Sequence, residues 1–327
     1  MNEPILFGIG NPLIDIIVKA KDIDLNNLGL DKGVMHLVDE KRQKEILSYF
    51  RELTPIYHPG GSAPNTLLAC SALGIRSLIT GKIGNDNFGD TYINQTKKFG
   101  VIPALVQGQG PTGSSIIIVT PDGERTMNTH LGMCQDFSKD DIDIEKLSKS
   151  KFLYFTGYMW DTESQKTAIK TAINFSKENN IKIIFDVADP FVVKRNKEEF
   201  LKIIEEDIDI LFTNKSELAI LFNTEDYNIS AMNLGKIVKI AAIKLGGKGS
   251  IIVEKNTQTL VPPREVSAKD STGAGDMYAA GFISSLCRGL EPIEAGRIGG
   301  FIAEEIIQQT GAQFNLNKIK ELRLSLF

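Results

Sequence analysis

The sequence predicts an α/β fold: a three-layer αβα core around a mostly parallel sheet, carrying a small β-sheet as a lid. Three observations predict it. From about residue 150 onward, short apolar runs alternate with helical patterns, as they do in a sheet covered on both faces. Glycine-bearing turns follow most of those runs. Two β-rich stretches, at about 11–39 and 101–130, interrupt the alternation and are expected to form the accessory sheet. The core is then expected over 1–10, 40–100 and 131–327.

Taken in order, Ile5 to Gly10 reads as a buried first strand and Ile14 to Val18 as a second, with Asp15 set between apolar neighbours. Val34 to Val38 is a short strand, and 40–52 an amphipathic helix. Residues 57–65 form a glycine turn leading into an apolar helix from Thr66 to Leu73, with Gly74 as its C-terminal stop. A strand at 77–80 and a turn at 84–89 precede a helix at about 87–99. Ser115 to Thr120 is rich in β-branched residues, and Pro121-Asp122-Gly123 turns it back as a hairpin. Strands are expected at 152–156, 182–186, 208–212, 241–245 and 250–253, the last continuing into a hairpin through 254–256. Helices are expected at about 163–178, 197–206, 214–222, 230–239, 274–288 and 291–309.

Composition narrows the function classes. Hydrophobic residues make up 42% and charged residues 24%, the values of an ordinary globule. The 37 basic and 41 acidic residues give a net charge of −4 with no long basic block, so neither nucleic acid nor an anionic membrane is an expected partner. No apolar run approaches the roughly 18 residues of a membrane span, and residues 1–7 lack the pattern of a secretion signal. Cys70, Cys134 and Cys287 are odd in number and far apart, which suits reduced thiols and a cytoplasmic setting. With three histidines and scattered cysteines, no zinc site is expected.

Motif spacing removes further classes. Gly8-Ile9-Gly10 begins a dinucleotide fingerprint, but Leu13 stands where its third glycine belongs. Leu245-Gly246-Gly247-Lys248-Gly249-Ser250 has the glycines and lysine of a phosphate loop at the wrong spacing. There is no HExxH, no G-x-S-x-G elbow and no protein-kinase loop. What remains is Lys269 to Asp276, Lys-Asp-Ser-Thr-Gly-Ala-Gly-Asp, where a loop becomes a helix. Glycines at a helix start expose free backbone N–H groups, an anion site with the Asp276 carboxylate beside it. The same residues also suit a plain helix start with an acid in its first turn, and spacing alone leaves both readings open. Gly60-Gly61 with Asn65, Gly84 to Gly89, and Gly246 to Gly249 are further turns of this kind. In an open α/β sheet they gather at the carboxyl edge, where backbone amides can hold phosphate.

Four of these segments carry a resemblance. Asp270 to Asp276 is similar to the C-terminal signature of the ribokinase (PfkB) family, and Gly60-Gly61 to Asn65 with its helix resembles the N-terminal one. Gly84 to Gly89 resembles the family's Gly-x-Asp-x-x-Gly turn, and Asn214-Lys215-Ser216-Glu217 its Asn-x-x-Glu motif. All four stand in the family's order across the chain. The resemblance implies an ATP-dependent kinase in which Asp276 is the general base and the amides of Gly273, Ala274 and Gly275 hold the transferring group. It implies Mg²⁺ held through water by Asn214 and Glu217, a pair that equally suits a helix cap with its capping-box acid. It also implies a nucleotide site at Asn214, Lys244, Gly246 and Gly249, although many relatives have Thr where this chain has Lys244. Arg125 is expected either over the phosphates or as a solvated surface side chain.

For the acceptor, the resemblance implies that Asp15, Gly61, Ser62 and Asn65 bind vicinal hydroxyls. Gly10 to Asp15 is more similar to adenosine kinases than to ribokinases, and Gly60-Gly61-Ser62 lacks the lysine common in the latter. A nucleoside base needs an apolar slot, for which Met35, Leu37, Tyr158, Met159 and Trp160 are candidates, though such residues also fill ordinary cores. The leading expectation is a small-molecule nucleoside kinase acting on adenosine, as monomer or homodimer. A sugar kinase on ribose, fructose or a keto-deoxy sugar acid is the alternative; a non-catalytic nucleoside or sugar sensor and a dehydrogenase stand further back.

Overall fold

The computed structural model describes residues 5–327; residues 1–4, which open the first expected core segment, lie outside the described residues. Among these, fourteen strands follow in chain order: β1 (Leu6–Ile9), β2 (Leu13–Lys19), β3 (Met35–Leu37), β4 (Ile56–Gly60), β5 (Ser77–Gly84), β6 (Ile102–Gly108), β7 (Ser114–Val119), β8 (Arg125–His130), β9 (Phe152–Thr156), β10 (Lys182–Asp186), β11 (Ile210–Asn214), β12 (Ile240–Lys244), β13 (Ser250–Glu254) and β14 (Thr257–Val261). Nine form one sheet in the order β14-β13-β12-β11-β10-β9-β1-β5-β6, parallel from β12 to β6 and antiparallel across β12-β13-β14. The other five form the lid sheet, β3-β8-β7-β2-β4.

The large sheet is covered on both faces because its strands are apolar on both. Leu6, Tyr154, Ile184, Phe212 and Ala242 pack with the helices Ser62–Ala72, Ala274–Leu286 and Pro292–Ile306. Their neighbours Phe7, Leu153, Phe155, Phe185, Leu211 and Ile243 pack on the opposite side with the helices Glu163–Glu178 and Pro190–Glu206. Strand residues alternate in direction, so consecutive apolar residues supply two cores. The lid alternates more sharply. Ile14, Ile16, Val18, Ile116 and Ile118 are buried with Leu25, Ile46 and Phe50, while Leu13, Asp15, Ser115, Ile117, Met127 and Thr129 face a cavity between the sheets.

The expected division of the chain differs from the sheets at two strands. β6 was expected in the lid but pairs in parallel with β5, Leu78 opposite Ile102. It is an edge strand, half-buried along most of its length, and so lacks the apolar run of a central strand. β4 was expected as part of a core turn but pairs antiparallel with β2, Asp15 opposite His58. Its exposed Tyr57-His58, followed by Pro59 and Gly60, reads as a turn because it too is an edge. The helix expected at 197–206 begins earlier, at Pro190, with a non-helical residue at Asn196.

Candidate active site

The carboxyl ends of neighbouring parallel strands deliver polar groups to one edge: Thr156 from β9, Asp186 from β10, Asn214 from β11 and Lys244 from β12. The registers bring Thr156 beside Asp186 and Asn214 beside Lys244. Above this edge stand the lid face and the N-terminus of the helix Ala274–Leu286. Together they enclose a cavity of about 540 Å³.

Asp276 is at the centre of the polar part. Ser62 Oγ donates to its Oδ1 at 2.7 Å and Asn65 Nδ2 to its Oδ2 at 3.0 Å. Gln313 Nε2 donates to Asn65 Oδ1 at 2.7 Å and to the Pro59 carbonyl at 2.8 Å, which fixes the Asn65 amide with its nitrogen toward Asp276. Burial pushes the Asp276 carboxyl up to about 6, against the pull of these two donors. Gly273 caps the helix with φ of 72°, and a side chain there would run into the Ala312 backbone. The first intrahelical bond is Met277 N–H to the Gly273 carbonyl, 2.8 Å. The amides of Gly273, Gly275 and Asp276 are therefore free of partners among the described residues. Ala274 differs from expectation: its N–H is taken by the Ser271 carbonyl at 3.2 Å, closing the turn.

Asp15 is set apart from this network. It lines the cavity from β2, and its carboxylate has no hydrogen-bond partner among the described residues. Burial raises its carboxyl to about 7, opposed by the Arg125 guanidinium and reinforced by the Asp276 charge. Gly60 lies directly beneath it, where any side chain would collide with the carboxylate. Gly61, with φ of 96°, brings the backbone against the Asn11 carbonyl and turns Ser62 into the cavity.

Arg125 is neither solvated nor unpaired. It lines the cavity, and its guanidinium donates to Asp270 Oδ2 at 3.1 Å, tying the lid to the loop before Gly273. Asp270 also receives Gly311 N–H and Thr272 N–H and Oγ1, so its carboxyl is held below the usual range despite partial burial.

Asn214 and Glu217 form the reciprocal helix cap. Asn214 Oδ1 accepts from the Ser216 and Glu217 amides, while Glu217 Oε2 accepts from Asn214 N–H at 2.8 Å and Thr213 Oγ1 at 3.1 Å. Asn214 Nδ2 donates to Glu217 Oε1. Lys244 Nζ stands 3.1 Å from Asp186 Oδ2, and a Cβ at Gly275 would lie 3.4 Å from it. Asp186 was not singled out from the sequence. An aspartate ending an otherwise apolar strand at the carboxyl edge was the available signal.

Among the other expected site residues, Met35, Leu37, Tyr158 and Gly246 line the cavity. Met159 does not. The short 3₁₀ turn Gly157–Trp160 sends Tyr158 to the cavity and buries Met159 and Trp160 in the core against Phe155 and Phe200. Gly249 is structural: with φ of 84°, it sits against the Val261 carbonyl where a side chain has no room. Leu13, Ile117, Met127 and Leu131, missed as apolar lining, became visible only with the lid pairing.

The sequence profile described as pfkB family carbohydrate kinase matches residues 37–319. The chain belongs to that family. It is an ATP-dependent phosphotransferase of the pfkB family, related to adenosine kinases. The structure of the adenosine kinase from Sinorhizobium meliloti is 32% identical, covers 99% of this chain and 100% of its own, and superposes with a TM-score of 0.92. A probable sugar kinase from Rhizobium etli is 30% identical with full coverage of both chains and the same TM-score, 0.92. The adenosine kinase of Schizosaccharomyces pombe is 25% identical over 97% of this chain and 98% of its own. Among the described residues no helix of this pfkB kinase is long and apolar enough to cross a membrane.

Proposed function

We propose that this pfkB kinase transfers the γ-phosphate of ATP to the 5′-hydroxyl of a nucleoside, with adenosine as the leading acceptor and AMP as product. One observation carries the reading: a single cavity is lined both by the apolar lid face of Leu13, Met35, Leu37, Ile117, Met127 and Leu131 and by Asp15, Asp276 and the free amides at Gly273 and Gly275. An apolar slot suits a purine, Asp15 suits two vicinal ribose hydroxyls, and Asp276 suits the hydroxyl that attacks. A free sugar would leave the apolar slot without an occupant. The relatives named as adenosine kinases support the same choice.

In this reading Asp276 takes the proton as the hydroxyl attacks. Ser62 and Asn65 hold one donor on each of its oxygens, fixing the carboxylate while leaving lone pairs for the acceptor. A carboxyl raised to about 6 is still ionised at neutral pH and is a stronger base than an ordinary aspartate. The amides of Gly273, Gly275 and Asp276, at a helix N-terminus, stabilise charge on the transferring phosphoryl group, with Lys244 and Arg125 as nearby cations. Asn214 and Gly246 line the nucleotide side.

Mg²⁺ fits the donor set. Among the described residues, the carboxylates of Asp186, Glu217 and Asp276 all act on the Lys244 ammonium, and burial together with Asp186 pushes Glu217 upward against the pull of Lys244. That interior is short of positive charge, and its donors are hard oxygens. Because both Glu217 oxygens already accept hydrogen bonds, Glu217, Asn214 and Asp186 would hold the ion through water. Bound with ATP, the ion would neutralise phosphate charge. Among the described residues no cluster of three or more ligating side chains stands ready to chelate a metal directly.

The test is ADP release with ATP and Mg²⁺ across adenosine, guanosine, inosine, cytidine, ribose, fructose and a keto-deoxy sugar acid. Adenosine is expected to give the highest kcat/KM. Preference for a free sugar would overturn the nucleoside assignment, and silence across the panel would remove catalysis altogether.

A further inference from the structure

Asn11 enters the cavity from the residues just before β2, on the same side as Asp15. Its Oδ1 is occupied. Gln165 Nε2, in the first turn of the helix Glu163–Glu178, donates to it at 2.6 Å. The same nitrogen donates to the Cys134 carbonyl at 2.7 Å. A backbone carbonyl can only accept, so Cys134 decides which way the Gln165 amide faces; the inverted amide would set two oxygens against each other. With that orientation fixed, the second N–H of Gln165 requires an oxygen from Asn11. The Asn11 Nδ2, which has no partner among the described residues, is then left for what the cavity holds.

Gln165 is fully buried, and its own Oε1 has no hydrogen-bond partner among the described residues. Buried amide oxygens are nearly always satisfied, and an apolar side chain of the same size would fill this space without leaving one orphaned. Packing therefore does not account for Gln165, whereas orienting Asn11 does. The same device serves Asp276, where Gln313 holds a carbonyl, Pro59, and the oxygen of an asparagine, Asn65. There the freed asparagine nitrogen meets a protein carboxylate. At Asn11 the corresponding acceptor is missing.

We infer that Gln165 is a positioning residue that presents Asn11 as a hydrogen-bond donor to the acceptor substrate, complementing the Asp15 acceptor, so that the pair recognises hydroxyl groups that give one bond and receive another. The inference deepens the nucleoside reading and rests on it. Gln165→Met keeps the volume and removes both donors. Asn11→Asp keeps the Gln165 bond but presents an oxygen to the cavity in place of the nitrogen.

Adenosine, 2′-deoxyadenosine and 3′-deoxyadenosine are the probes, with binding by calorimetry beside steady-state kinetics. For Gln165→Met the adenosine KM is expected to rise about tenfold, the loss of one hydrogen bond, with the ATP KM unchanged. Discrimination against at least one deoxynucleoside is expected to shrink with it. Asn11→Asp should show the same loss, and adding Gln165→Met to Asn11→Ala should cost little more. Wild-type adenosine affinity and deoxynucleoside discrimination in Gln165→Met would overturn the inference, as would equal loss of affinity for ATP and adenosine. Should Gln165→Met not fold, Asn11→Asp decides alone: normal adenosine affinity there means no donor is needed. A wild-type chain that neither binds nor phosphorylates adenosine defeats the nucleoside reading itself, before any variant is made.

Discussion

Asp15 and Asp276 are both buried acids in one cavity, yet their surroundings differ in kind. Asp276 receives a side-chain donor on each oxygen and lies beside free amides at a helix start. Asp15 receives none and has Gly60 pressed beneath it. Burial raises both, Asp276 to about 6 and Asp15 to about 7, and the missing donors account for the direction of the difference. A carboxylate whose partners are built in is ready for chemistry before substrate arrives. One without partners is incomplete until hydroxyl groups enter, which is the property of a recognition group.

The largest test of that contrast removes each charge in turn. Asp276→Asn is expected to lower kcat by at least ~10²-fold, the scale of a lost general base, with adenosine binding largely retained in calorimetry. Near-normal turnover would mean the two acids have been assigned the wrong way round. Asp15→Asn is expected to act on the other constant, raising the acceptor KM by about 10²-fold as two charge-assisted bonds are weakened, while the ATP KM stays near its original value. It should also stabilise the unliganded protein by a few kcal/mol at pH 8, since an ionised, unpartnered buried acid is removed. A fall in thermal stability would show that Asp15 has a structural partner after all.

A pH series separates the acids without mutation. Both folded-state values lie above the roughly 4 of an unfolded aspartate, so between these limits the native protein holds protons that the unfolded chain has lost. Stability of the empty protein is expected to fall as pH rises from about 4 through about 7, and then to level off. Activity should move oppositely: kcat declines below about 6, and the acceptor KM rises below about 7. Because the two charges act on one another, the steps belong to the pair, and coincident profiles for kcat and KM would remove the division of roles.

How much of this arrangement was legible in the sequence depends on the range over which each part is determined. The parallel strands and the helix after Gly273 follow from local apolar patterning, and β9 and the helix Glu163–Glu178 fall where that patterning puts them. The two edge strands were misplaced because an edge has only one partner and no continuous apolar run. Asp276 was visible through its glycines, and Asp15 as an acid between apolar neighbours whose role the family resemblance implied. Asp186, Gln313 and Gln165 were not, since each matters through a contact made 58 or more residues away: Lys244, Asn65 and Asn11. Met159 was misread as lining because aromatic and Met residues in a short turn do not reveal which of them points inward.

The smallest expected effect is also the sharpest test of why the acids differ. Ser62→Ala deletes one donor from Asp276 and makes it more like Asp15. Losing a hydrogen bond to the charged form raises a carboxyl, so the kcat profile should move to higher pH, toward the range of Asp15. At pH 7 the loss should be only several-fold, much of it recovered at pH 8.5, where the carboxylate is again fully ionised. An unshifted profile with a uniform loss at every pH would mean that Ser62 positions the acceptor and does not tune Asp276.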